Sequence, residues 1–263
     1  MLTLGAALGG LVTTYLGWEM ALAIDVLSYL LSAVLLIGIV EPSRIESPVR
    51  RGGWLMIREG LDHLGSRFDV FTMCFAKMGW NVAGAVTLVL TLNGETRFAI
   101  GSGGVLAVSL LYMSRGLGTG FGPLVGRWLS RSDPYKMEAF IGWGYLIGAV
   151  CYIAGYWASN LHMAMLLVFC AHTGGAIVWV FSSIRLQQMV ESEFRGRVFS
   201  VETAGFLFFF IISNLLTAWA WDSFALEPRD LFLVMGGLLF FPFGLWSLRQ
   251  RYFSGRRIEK GAV

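Results

Sequence analysis

Residues 161–188 read LHMAMLLVFCAHTGGAIVWVFSSIRLQQ, and Arg185 is the one formal charge among them. A helix rises about 1.5 Å per residue, so a run of this length crosses the ~30 Å hydrocarbon core of a bilayer with residues to spare. Working outward, the same kind of segment recurs at 136–157, 101–129, 69–92 and 19–40 on one side, and at 198–221 and 230–249 on the other. An eighth, 2–16, is too short to span comfortably and looks like a span without its opening turns. Composition agrees, since 56% of residues are apolar and 14% charged, against roughly 25% charged in an average soluble domain. Mean hydropathy is +0.66. Thirty-three glycines against six prolines suit closely packed membrane helices, where small residues let backbones approach. The expected fold is therefore all-α, a polytopic transmembrane helix bundle of about eight spans.

Charge placement supplies an orientation. Basic residues gather at Arg44, Arg50, Arg51, Arg58 and Arg67, at Arg127, Arg131 and Lys136, at Arg185, Arg195 and Arg197, and at Arg249, Arg251, Arg256, Arg257 and Lys260. The alternate loops carry only Arg97 and Arg229. With eight spans every basic loop falls on one side, which the positive-inside rule makes cytoplasmic, together with the C-terminus. The expected location is the inner or plasma membrane. The start at Met1 has no basic n-region and runs on into a second apolar segment, so no cleavable signal peptide is expected. Cys74, Cys151 and Cys170 lie in apolar stretches without paired spacing and read as small buried thiols.

The longest connection, about 41–68, opens on Glu41-Pro42-Ser43, and its stretch 54–64 has apolar residues at helical spacing. It reads as a short amphipathic helix on the cytoplasmic face. The expected divisions are 1–40, two helices; 41–68, linker; 69–250, a six-helix bundle; and 251–263, a basic tail. Six spans after a cytoplasmic linker suggest the second half of a twofold-repeated transporter.

Several stretches resemble the major facilitator superfamily, especially its prokaryotic efflux branch. Gly5-Ala6-Ala7-Leu8-Gly9-Gly10 resembles the glycine-rich fifth-helix motif of the family's antiporters, with Ala6 where proline is usual. Gly17-Trp18, followed by Ala23-Ile24-Asp25-Val26-Leu27-Ser28-Tyr29-Leu30-Leu31-Ser32-Ala33, is similar to the start of the sixth helix. Gly122-Pro123-Leu124-Val125-Gly126-Arg127 resembles the second-half copy of the loop motif after the second and eighth helices, with Gly126 in place of the common aspartate. Phe194-Arg195-Gly196-Arg197-Val198-Phe199-Ser200 is similar to the turn between the tenth and eleventh helices. The resemblance covers nearly the whole chain and implies helices five to twelve of a twelve-helix fold, the first half being incomplete. It implies a secondary transporter exporting small organic, drug- or metabolite-like molecules by alternating access. A truncated or accessory protein that transports nothing alone is the competing class, since alternating access needs two opposing bundles.

Charges at bilayer depth are costly and usually face a cavity or a partner. Arg115 is the first candidate. Tyr112, Arg115, Thr119 and Gly122 share a helical face, so Arg115 either lines the translocation cavity or locks two helices through carbonyls or a carboxylate. Lys77, with Trp80, Asn81 and Gly84 on its face, either meets a polar substrate group or snorkels to the cytoplasmic surface, the second being favoured. Asn81 is too deep to snorkel and needs a partner or a substrate. His172, with Gly175, Trp179 and Ser183, is open to proton coupling or to a neutral bond with a neighbouring helix, the second again favoured. Trp80 and Trp179 are candidate cavity walls, whereas Phe206, Phe208, Phe209 and Phe210 read as packing or lipid-facing residues. Substrate contact is therefore expected at Arg115, Lys77, Asn81, His172, Trp179 and Tyr112. A cytoplasmic gate is expected at Arg127, Arg131, Arg195, Arg197 and Glu202, with Glu202 in a surface network with Arg195 and Arg197. Asp25 is expected to bond nearby backbone amides or a serine.

Other chemistries fit less well. The glycines 116, 118, 120 and 122 lie in an apolar span without a preceding strand or Lys-Ser/Thr, so they favour helix packing over a phosphate loop. His63, His162 and His172 are separated by loop or depth, and no metal site or cofactor is expected. No Ser/His pair or Asp dyad has the spacing an intramembrane enzyme needs. The expected partners are a small-molecule substrate, the lipid bilayer, protons as one open choice of coupling ion, and further N-terminal helices or a second copy. No nucleic acid is expected.

Overall fold

The computed structural model describes residues 2–37, 53–100 and 102–259. Glu41-Pro42-Ser43, Arg44, Arg50, Arg51 and Lys260 lie outside the described residues, as do the side chains of Arg256 and Arg257. Among the described residues every regular element is helical. These are α1 (Leu2–Leu16), α2 (Trp18–Leu36), α3 (Gly53–Ser66), α4 (Phe68–Trp80), α5 (Val86–Leu92), α6 (Val105–Ser130), α7 (Pro134–Gly155), α8 (Leu161–Met189), α9 (Ser192–Phe224) and α10 (Asp230–Glu259). A tight 3-10 turn, Asn81–Ala83, separates α4 from α5, and a wide turn, Asn93–Arg97, ends α5.

Local chemistry explains the boundaries. Asp133 accepts the backbone N–H groups of Tyr135 and Lys136 and is followed by Pro134, whose missing N–H needs no partner in a first turn. Asn160 caps α8 by accepting from the Met163 N–H. The span expected from residue 101 begins as an α-helix only at Val105, because Gly103 and Gly104 both adopt φ +68°, a region favourable to glycine. The basic stretch Phe194–Arg197, expected as a turn, instead forms the opening of α9. The helix expected over 54–64 forms as α3 and packs on α9.

Among the described residues six helical stretches are long and apolar enough to cross a membrane: 18–36, 68–97, 134–155, 161–189, 192–224 and 230–253. At 26 residues α6 has the length, but Arg115, Arg127 and its many glycines dilute its apolar character. Short connections make the long helices alternate in direction, so Arg67, Arg131, Lys136, Arg195 and Arg251 collect at one end of the bundle, here termed the basic end.

The helix α8 is central, packing on α7, α6 and α4, while α7 also packs on α10 and α4 on α9. Glycine makes the closest approaches possible. A Cβ on Gly118 would collide with the Phe169 carbonyl oxygen, one on Gly122 with that of Thr173, and one on Gly144 with that of Gly174. Between lipid-solvated helices such van der Waals fit, rather than escape from water, supplies the attraction. The expectation that the α6 glycines serve helix packing holds at Gly118 and Gly122, whereas a Cβ on Gly120 would meet nothing. The helix α1 packs on α6, whereas α2 packs on α1 and buries no residue. Asp25 is exposed, and the Ser28 hydroxyl donates to its backbone carbonyl rather than to its carboxylate, which corrects the role expected for that side chain.

Candidate functional site

The interruption between α4 and α5 organises the site. At about 1.5 Å per residue, the 13 residues of α4 carry the chain roughly 20 Å from the basic end before the helix breaks. The break is held by α9. Asn81 donates to the Phe206 carbonyl at 3.0 Å, and Asn214 donates to that of Gly84 at 3.4 Å and of Phe210 at 2.8 Å. Gly84 permits this contact, since a Cβ there would lie 3.3 Å from the Phe210 Cα. Asn81 thus has the partner its depth demands.

One turn earlier, Lys77 Nζ lies 3.0 Å from Glu202 Oε2, joining α4 to α9 through a buried ion pair. Lys77 also lies 4.8 Å from the centre of the Trp179 ring and 5.6 Å from that of Phe199. Trp179 meets Phe206 edge-on at 4.9 Å and remains half-exposed. Lys77 therefore does not snorkel, and Glu202 does not join a surface network with Arg195 and Arg197. Each is the other's counter-ion in an apolar setting, where a paired charge costs far less than a lone one. Glu202 Oε1 has no hydrogen-bond partner among the described residues.

A second group lies on α6, α7 and α8. The Tyr152 hydroxyl and His172 Nε2 are 2.8 Å apart and buried, a bond between α7 and α8 of the kind favoured for this histidine. Trp80 meets His172 edge-on at 6.1 Å and packs against Gly148 and Gly175, so it fills the bundle instead of lining an open cavity. Arg115 is half-buried about 15 Å into α6, with its guanidinium 5.8 Å from the Tyr112 ring centre. No carboxylate pairs with Arg115 among the described residues, so the helix-locking alternative lacks its acidic partner. The faces expected from spacing alone are divided: Lys77 and Asn81 turn to α9, whereas Trp80 turns to α7 and α8.

The expected gate residues separate likewise. Arg127 and Arg131 are exposed at the basic end. Arg195 donates to the Val190 carbonyl at 3.0 Å, while Arg197 pairs with Glu59 of α3 at 2.8 Å and stacks over Phe194. Sequence reasoning missed Glu138, which bonds Arg185 at 2.7 Å and Arg249 at 2.9 Å and ties together α7, α8 and α10. Its signal was a lone carboxylate just inside an apolar span.

The family model for the Major Facilitator Superfamily matches residues 2–201. The chain belongs to the major facilitator superfamily. Membership and the apolar helices make this a multi-pass membrane protein of the transporter type. A comparison with curated proteins finds no match.

Proposed function

We propose that this major facilitator protein is a secondary transporter that exports small organic molecules by alternating access. The observation that carries the reading is the α4–α5 interruption at mid-depth, beside the Lys77–Glu202 pair and half-exposed Trp179. Interrupted helices in transporters occur where backbone lines a substrate or ion site. Lys77, Asn81 and Trp179 then form one wall of that site, and Arg115 with Tyr112 another, with His172 behind them. Export and the prokaryotic efflux branch rest on the sequence motifs, as does the assignment to helices five to twelve.

In this reading the basic end is cytoplasmic in an inner or plasma membrane. Arg127, Arg131, Arg195 and Arg197 shape the inner gate. Protons are the coupling ion considered, with Glu202 as an acceptor in addition to the histidine. A second reading, transport only with further helices or a second copy, is favoured by α2, which buries no residue.

The test is accumulation of a fluorescent efflux substrate in efflux-deficient cells expressing the chain, compared with Arg115→Ala at equal membrane abundance. Lower accumulation that Arg115→Ala abolishes supports export. Equal accumulation in all cells defeats autonomous export, and efflux only from a version extended upstream supports the second reading.

A further inference from the structure

A cavity of about 760 Å³ opens between α4, α9 and α10; Val82 of the α4–α5 interruption lines it, but Lys77, Asn81, Trp179, Arg115, Tyr112 and His172 do not. Its lining follows α4 and the turn after it from Phe68 to Val82, and α10 from Phe241 to Tyr252. At about 1.5 Å per residue these walls run roughly 16–21 Å, close to the ~15 Å of hydrocarbon in one leaflet plus the start of its headgroup layer. The Phe68 and Tyr252 rings meet edge-on at 6.0 Å at the basic end.

The polar groups in the walls are already bonded. Tyr145 donates its hydroxyl to the Ala76 carbonyl, Thr72 donates to that of Asp69, and Trp246 donates to that of Glu138. Most of the cavity therefore offers little to water and much to an apolar chain.

The basic end differs. Arg249 donates to Thr72 Oγ1 and Glu138 Oε2, and Glu138 also takes Arg185. Two guanidinium groups against one carboxylate leave an excess positive charge there. The Nη2 of Arg249 has no hydrogen-bond partner among the described residues, and its guanidinium, which lines the cavity, packs over the Trp246 and Phe253 rings.

We propose that this groove holds one acyl chain of an anionic phospholipid, with its phosphate at the Arg249 end. The occupant is a lipid of the leaflet on the basic side. The proposal does not depend on the transport reading.

The test is native mass spectrometry of the purified chain titrated with phosphatidylglycerol and phosphatidylethanolamine of identical acyl chains. Phosphatidylglycerol should be retained about fivefold more strongly, the scale of one basic residue at an anionic surface. Arg249→Gln should erase most of that preference while keeping a cooperative lipid-free melting transition. Leu245→Trp and Leu248→Trp, which fill the groove from exposed positions on α10, should abolish retention without changing the lipid-free melting temperature. Equal retention of both lipids, or unchanged retention in both tryptophan variants, overturns the proposal. So does displacement of phosphatidylglycerol by excess soluble glycerol phosphate, which would mark a phosphate site. Should neither variant fold, brominated lipids decide with the unaltered chain. Stronger tryptophan quenching by brominated phosphatidylglycerol supports the groove, and equal quenching by both lipids refutes it.

Discussion

Replacing Glu202 by glutamine leaves Lys77 without a counter-ion in the bundle. The two residues are 1% and 7% exposed and their charged atoms lie 3.0 Å apart, so water cannot compensate the loss. Removing one member of a buried pair costs about 3–5 kcal/mol, against about 0–1 kcal/mol for a surface pair. For a chain of this size that corresponds to a melting-temperature fall of roughly 6–20 °C. The assay is thermal unfolding in detergent of Glu202→Gln, Lys77→Met and the double variant Lys77→Met/Glu202→Leu. Both single variants should fall by that margin, and the double variant should recover most of it because no unpaired charge remains. A fall below about 1 kcal/mol in both singles would show that the pair is solvated, and the argument for a dry α4–α9 contact would fail.

Other perturbations test other contacts. Gly175→Val should lower stability by about 1–3 kcal/mol in the same melting assay, because its Cβ would collide with the Trp80 ring. Arg97 donates to the Gly155, Tyr156 and Ala158 carbonyls, so Arg97→Lys should recover little of the stability lost in Arg97→Ala. Arg115→Ala should leave melting within about 0.5 kcal/mol of the parent while abolishing substrate efflux, since this half-buried residue has no ion pair among the described residues. Loss of stability instead would make it a packing residue.

Sequence alone determined the membrane class and the approximate helices. Apolar runs long enough to cross a bilayer have few alternatives, as in residues 161–188, and the glycine spacing in α6 marked its close packing. Spacing also placed Asn81 and His172 at depths where each required a partner. Tertiary structure decided which partner each obtained. Helix packing set Lys77 and Asn81 toward α9 and Trp80 against α7 and α8. Residues 77 and 202 are 125 positions apart, so no local pattern could reveal their pairing. Glu138 was equally illegible as the link between Arg185 and Arg249, because a carboxylate's partners depend on which helices meet. Hydropathy fixes where the chain enters the bilayer, while the choice of counter-ion for each buried charge follows from helix packing.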